Sequence, residues 1–126
     1  MRLWSFQQFQ SASGREAISD WRKDLSPRRQ AAFDIFLDRL SKMRSWPLDF
    51  CAPLQGYRGR WELRWKVENV QHRVFGYYGG PAIFVMLVAC THKGKVYDPP
   101  GAFRTMVDRS GKLDKREGTL STYELT

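Results

Sequence analysis

Cysteine is scarce in this 126-residue chain, which contains only Cys51 and Cys90. Neither of them belongs to a CxxC pair or to a cluster of histidine and cysteine. Structural zinc sites need such a cluster, so the sequence argues against a site of that kind. We expect both cysteines to be small core residues, and we expect neither a metal nor a cofactor.

Long hydrophobic runs are also missing. A membrane span needs roughly 18 consecutive apolar residues, and the longest run here, PAIFVMLVAC, is long enough only for a buried strand. The opening residues, MRLWSFQQFQ, contain no apolar signal-peptide segment. We therefore expect a cytoplasmic protein that does not enter a membrane.

What the chain does contain is a core-forming composition and a surplus of positive charge. Hydrophobic residues make up 42% of it, as in a globular protein, and its length suits one domain. Lys and Arg number 21 against 13 Asp and Glu, which gives a net charge of +8. Such a charge favours polyanionic partners, meaning nucleic acid, anionic lipid or an acidic protein.

The first 46 residues are predicted to form a strand and two helices. LWSFQQF alternates in part, as a strand does, and Ser13 with Glu16 makes a capping box that would begin the first helix. Ser26 before Pro27 is typical of a second helix start, and Pro47 would end that helix. The second helix carries one apolar stripe that should face the core: Phe33, Phe36, Leu37, Leu40 and Met43.

After a linker rich in Pro and Gly, predicted as a loop, the hydrophobic period changes from about 3.6 residues to about 2. WELRWKVE alternates strictly, VQHRVFGYY would return beside it, and PAIFVMLVAC would be a central strand buried on both faces. THKGKVYDPP is predicted as a loop and residues 101–109 as a short helix. Residues 110–126 are predicted as a polar tail, either mobile or ordered by a partner, after a single domain at 1–109. The order β-α-α-β-β-β with a C-terminal helix predicts an α+β fold, with two helices packed on a small, twisted, mainly antiparallel sheet.

The predicted hairpin also has a register. If Glu68 and Asn69 form the turn, Trp65 faces His72 on the side that we expect to be buried, and we interpret His72 as structural. Trp61 would then lie opposite Gly76 on the same side. The sequence therefore predicts one apolar face of the hairpin and one charged face.

On the charged face of this hairpin, Arg64 would lie directly opposite Arg73. Like charges directly opposite destabilise a sheet. The two side chains either extend into water or pair with Glu62 and Glu68, or they are held together to bind an anion. Arginine has a planar fork of donors that suits a phosphate, which makes the second interpretation a functional one.

Other positive residues crowd the same half of the chain. Between positions 57 and 95 there are seven basic residues against two acidic ones, a net +5 of the total +8. The basic residues are Arg58, Arg60, Arg64, Lys66, Arg73, Lys93 and Lys95. Aromatic residues are interleaved with them, among them Tyr57, Phe75, Tyr77, Tyr78 and Tyr97. Basic residues mixed with aromatic ones are typical of single-stranded nucleic-acid sites, although the aromatic residues are equally well explained as core.

These residues resemble the RelE/ParE toxin superfamily of bacterial toxin–antitoxin systems, in particular its phage-derived, HigB-like branch. The resemblance covers residues 53–100 well and the two preceding helices loosely. It is carried by Leu54 and Gly56 in the loop, Glu62-Leu63-Arg64, His72-Arg73-Val74, Ala89-Cys90-Thr91-His92-Lys93, and Pro99. His72 replaces the family's Tyr, and His92 replaces a Lys.

The resemblance implies a small toxin whose partner is a cognate antitoxin, often a helix-turn-helix protein. Many relatives are endoribonucleases that cut messenger RNA on the ribosome, and others poison DNA gyrase. Cleavage through the RNA 2′-OH without a metal needs a base, cations that stabilise the phosphorane, and an acid for the leaving oxygen. The expected catalytic residues are Arg64, Arg73, His92 and Lys93. The expected substrate-binding residues are Arg60, Lys66, Lys95 and Tyr97.

Two hypotheses follow from the sequence. The first is a ribosome-dependent mRNA endoribonuclease. The second is a binder that cuts nothing, such as a ParE-like gyrase poison or an inactive nucleic-acid-binding relic, because the replaced Tyr at His72 removes a hydroxyl that relatives carry.

Overall fold

The fold is an α+β arrangement in which one mostly antiparallel sheet has helices on both faces. A computed structural model describes residues 1–125, and in that range it contains three helices and seven strands. In chain order these are β1 (Ser5–Ser11), α1 (Ala17–Lys23), α2 (Pro27–Ser41), β2 (Cys51–Pro53), β3 (Trp61–Val67), β4 (Val70–Gly80), β5 (Ile83–Lys93), β6 (Val96–Asp98), α3 (Ala102–Asp114) and β7 (Gly118–Tyr123).

The sheet runs in the order β2-β3-β4-β5-β1-β7, and β6 pairs with the end of β5. β1 is parallel to β5, and every other pairing is antiparallel. A parallel neighbour needs a crossover, and α1, α2 and the β2–β4 strands supply it. The predicted class is confirmed, but the strand count is larger than expected because β2, β6 and β7 come from segments that we expected to be a loop or a tail.

α1 and α2 differ from the prediction at two points, the start of α1 and the end of α2. Ser26 does cap α2, since its hydroxyl accepts a hydrogen bond from the amide of Arg29 at 3.3 Å. The predicted capping box is wrong, because Glu16 itself is the residue before α1 and makes no side-chain cap. Its carboxylate instead accepts a hydrogen bond from Ser121 on β7. α2 also ends at Ser41, well before Pro47.

Two hydrophobic cores lie on opposite faces of the sheet. The first core lies under α1 and α2 and includes Phe6, Ile18, Phe33, Leu37, Leu63, Val74, Phe84 and Met86. The second core lies under α3 and includes Phe9, Phe75, Val85, Leu87, Cys90 and Met106. β5 contributes to both cores, which confirms that this strand is buried on both faces.

The β3–β4 hairpin has the predicted register along its whole length, from Val67 opposite Val70 to Trp61 opposite Gly76. Glu68 and Asn69 form its turn with φ of 53° and 62°, the left-handed pair that a two-residue type I′ turn requires. His72 is fully buried, as expected of a structural residue.

The polar segment after Arg109 forms regular structure with the rest of the chain, so the expectation of a mobile or partner-ordered tail was wrong. α3 continues to Asp114, and β7 pairs with β1 through six residue pairs, from Phe6 with Tyr123 to Ser11 with Gly118. Leu120 and Tyr123 supply apolar contacts that a polar composition conceals. Thr126 lies outside the described residues. Within residues 1–125, no helix has the length and apolar character to cross a membrane.

Candidate functional site

The charged part of the sheet lies on the same face as α3, beyond the end that α3 covers. Phe75 on β4 stacks against Phe103 in the first turn of α3, with ring centroids 4.7 Å apart. Two residue pairs closer to the hairpin turn, Arg64, Arg73 and Cys90 lie side by side on β3, β4 and β5. Because side chains alternate along a strand, these positions share the face of Phe75.

A second row crosses four strands next to the arginines. Lys66 on β3 pairs with Gln71 on β4, Gln71 with His92 on β5, and His92 with Tyr97 on β6. We refer to Lys66, Gln71, His92 and Tyr97 as the outer row. Neighbouring strands are about 4.8 Å apart, so the outer row presents polar and aromatic side chains in a line across the sheet, directly beside the arginine pair.

The two arginines are joined by one carboxylate. Glu62 Oε1 lies 3.3 Å from Arg64 Nη1 and 3.2 Å from Arg73 Nη1. Glu62 and Arg73 are each only 16% exposed, whereas Arg64 is 34% exposed. The expected pairing with Glu62 is therefore present, and it explains how two like charges are tolerated directly opposite each other. The expected pairing with Glu68 is absent, because Glu68 binds Arg29.

Arg64 uses most of its fork to hold the segment before β2. Its Nη2 donates to the carbonyl of Leu48 at 2.7 Å, and its Nε donates to the carbonyl of Asp49 at 3.3 Å. Side-chain donors that bind main-chain carbonyls fix a loop in place, as helix caps do. Arg64 therefore has a structural role in addition to any role in binding.

Arg73 is less occupied. Among residues 1–125 its side chain makes one ion pair, with Glu62. Beside it, burial raises the pKa of the Cys90 thiol to about 12, an effect that the charge of Arg73 opposes. The thiol is therefore neutral near pH 7, and no thiolate competes for the guanidinium. Arg73 has donors left to bind an anion.

The His92 end of the outer row is aromatic. The His92 ring stacks on Tyr97 with centroids 4.3 Å apart and planes 11° from parallel. Tyr97 in turn meets Phe103 of α3 edge to face at 5.6 Å. Burial raises the pKa of Tyr97, so its hydroxyl keeps its proton near neutral pH. This end can stack on a nucleobase or donate a proton.

An open groove of about 480 Å³ runs along the charged face at the edge of β3. It is lined by Asp49, Phe50, Arg64, Trp65, Lys66, Gln71 and Arg73. The groove thus brings both arginines and half of the outer row to one solvent-accessible surface. Its lining has more basic than acidic side chains, which suits an anionic ligand.

Three predicted residues lie elsewhere. Arg60 donates to Ser110 on α3 at 3.1 Å and lies over the Tyr77 ring at 4.7 Å, so it belongs to the α3 contact. Lys93 follows His92 and points to the opposite face by strand alternation, and Lys95 lies in the exposed β5–β6 turn. The structure therefore brings together Arg64, Arg73, His92, Lys66 and Tyr97, but not the other three.

Sequence reasoning missed Glu62 as a member of the site. The strand alternation had already placed it on the face of Arg64, and a carboxylate two residues from an arginine on one strand is within reach of it. Gln71 was missed for a simpler reason, since an amide between charged residues carries no chemical signal of its own. Both were visible in the predicted register.

The arrangement places a guanidinium, a carboxylate and a stacked imidazole on one face of the sheet. Within the described residues, no group of three or more His, Cys, Asp or Glu side chains is placed to hold a metal ion. No family model matches this chain, and no significant match was found among curated proteins or among solved structures.

Proposed function

We propose that this protein is the toxin of a toxin–antitoxin pair and that it cleaves messenger RNA, on the ribosome, through the RNA 2′-OH. The proposed partner is an antitoxin of the helix-turn-helix kind. The observation that carries the proposal is the Arg64–Arg73 pair, bridged by Glu62 and flanked by the outer row on an open surface. The order of elements, strand-helix-helix and then an antiparallel meander, supports a RelE-like topology.

The residues can be given roles in such a cleavage. The Glu62 carboxylate takes the proton of the 2′-OH, and the 2′-oxygen forms a bond to phosphorus. Arg73 stabilises the charge on the non-bridging oxygens, and Arg64 lies directly opposite it on the neighbouring strand. The bond from phosphorus to the 5′-oxygen breaks, and His92 gives that oxygen its proton. The products are a 2′,3′-cyclic phosphate and a 5′-OH.

The test is induced expression of the wild type and of an Arg64→Ala/Arg73→Ala variant, with messenger RNA 5′ ends mapped in both. We expect growth arrest and new in-frame cuts with the wild type only. Circular dichroism of the purified variant checks that the fold survives. A folded double variant that still produces the cuts would contradict the proposal.

One observation favours the second candidate, a binder that cuts nothing. Most donors of Arg64 are engaged by Glu62 and by two backbone carbonyls, so only Arg73 can receive a phosphate without rearrangement. Glu62→Gln separates the candidates, because an amide keeps the size of the side chain but cannot act as a base. A cleaving enzyme should lose its cuts, while a gyrase poison or other binder should keep its toxicity.

A further inference from the structure

The last strand leaves one edge of the sheet open. β7 is the end of the strand order, and among the strands of the described residues only β1 pairs with it. Within residues 1–125, the backbone groups on its other side have no strand, helix or loop paired with them. An open edge of this kind is a template for another strand, because its amides and carbonyls are already arranged to pair.

This edge also lacks the usual protection. Proteins guard edges with charged residues, proline, bulges or very short strands. The other edge, β2, is only three residues long and ends in Pro53. β7 has six residues, Gly118–Tyr123, with the sequence GTLSTY, which contains neither charge nor proline. Its pairing with β1 shows no register shift.

Three surface grooves adjoin the two ends of β7. Thr122 and Tyr123 border two of them, of about 510 Å³ and about 280 Å³. Gly118 and Thr119 border a third, of about 360 Å³. Side chains of an added strand would therefore find space beside both ends of β7, whereas Leu120 and Ser121 at its centre border none of the three grooves.

The side chains of β7 are complementary to themselves. Leu120 packs on the α3 face, whereas Ser121 and Tyr123 point to the α1 face. If two copies meet antiparallel with Leu120 opposite Leu120, Thr119 of each copy faces Ser121 of the other on the α1 face. In the same register the start of each β7 meets the end of the other, which brings the turn that carries Arg116, two residues before the strand, near Glu124, the residue after it. Among residues 1–125 neither Arg116 nor Glu124 has an ion-pair partner.

We propose that β7 pairs antiparallel with β7 of a second copy and forms a two-fold dimer with one continuous sheet. The net charge of +8 opposes self-association in general. The edge is a local exception, since Arg116 is offset by Glu117, and charges beyond about 8 Å are largely screened at physiological salt. A strand pair buries less surface than a standard interface, so the dimer is weak and depends on concentration.

The test is sedimentation velocity of the full chain over a dilution series. Arg116→Glu and Glu124→Arg each place like charges together at both ends of the interface. We expect each single variant to weaken dimerisation about tenfold, and the double variant, which restores both pairs with reversed sign, to recover it. Arg104→Glu, an exposed change of the same charge on α3, is the matched control and should leave the dimer unchanged.

Hydrogen exchange adds a second readout. Amides of β7 that point away from β1 should exchange more slowly as protein concentration rises, and they should lose this protection in Arg116→Glu. Sedimentation as a monomer at every concentration would overturn the proposal. So would a dimer that ignores both charge changes, or one that forms without protection of β7, because either result assigns dimerisation to another surface.

Discussion

The β3–β4 hairpin carries two neighbouring pairs with opposite properties. Trp65 and His72 face each other under α1 and α2, and Arg64 and Arg73 face each other on the other side of the same two strands. One position along the strand thus separates a pair that packs under the helices from a charged pair on the other face. His72 Nδ1 bonds to the carbonyl of Val70 at 3.0 Å, while its Nε2 has no hydrogen-bond partner within residues 1–125.

The difference shows that coverage by helices, rather than the strands themselves, decides which residues form core and which form a site. α1 and α2 cover the first face up to Trp65, where the Phe33 and Phe36 rings stack on the indole at 5.1 Å and 4.7 Å. On β4, α3 covers the second face only as far as Phe75. Beyond that point Arg64 and Lys66 are open to solvent, although Cys90 on β5 stays buried.

The covered face should be the least tolerant of change. A Cβ added at Gly76 would overlap the backbone oxygen of Val85 and come within 2.9 Å of the Phe84 ring. Because both neighbours are fixed by the core, we expect Gly76→Ala to cost about 3 kcal/mol or to prevent folding. Gly111→Ala on α3 meets nothing within 4 Å and should gain about 0.5–1 kcal/mol. Urea unfolding of both variants checks the contrast, and equal midpoints would contradict it.

Truncating one side chain on each face of β3 should distinguish the two faces almost as clearly. Leu63 is fully buried in the first core, and Leu63→Ala should lower the free energy of unfolding by about 3 kcal/mol. Lys66 lies on the opposite face of the same strand and is exposed, so Lys66→Ala should change it by less than about 0.5 kcal/mol. Denaturant unfolding of the two variants measures this difference. Similar losses would mean that the position of Lys66 is also part of a core.

Within the charged face, the two arginines should differ from each other. Arg64→Gln removes two hydrogen bonds to backbone carbonyls, so we expect a loss of about 1–2 kcal/mol of stability. Arg73→Gln should cost less than that but reduce cleavage at least about 100-fold, because its free donors would bind the phosphate. Thermal unfolding and RNA cleavage of both variants are the measurements. A fully active, folded Arg73→Gln would remove Arg73 from the site.

The smallest expected effect is a dependence of stability on pH. Burial lowers the pKa of His72 below its ordinary value of 6.5, so the unfolded chain binds a proton at a pH where the folded chain does not. Stability should therefore be fully present above about pH 6.5 and decline as pH falls towards the lowered pKa. His72→Gln should flatten this slope, and His92→Gln, which removes the other histidine, should keep it. Urea unfolding of the wild type and both variants at roughly pH 5 to 8 measures how stability depends on pH.

Much of this comparison could be predicted from local sequence. Strict alternation in WELRWKVE and a turn at Glu68 and Asn69 determine the hairpin register, so the opposed arginines and the buried His72 were expected and confirmed. The partners of these arginines depend on loops, and nothing local signals that Leu48 and Asp49 accept from Arg64. β7 was missed because its pairing with β1 depends on a distant segment rather than on its own weak apolar pattern.

The position of β1 has a consequence for how the chain folds. β1 pairs with β5 and with β7, so Phe6 has neighbours at Phe84 and at Tyr123. Contacts over such long stretches of chain form late, whereas hairpins form quickly. During synthesis, the β3–β4–β5 meander can therefore assemble before β1 meets its last neighbour. The strands that carry most of the proposed active surface would then be paired with one another before the sheet is complete.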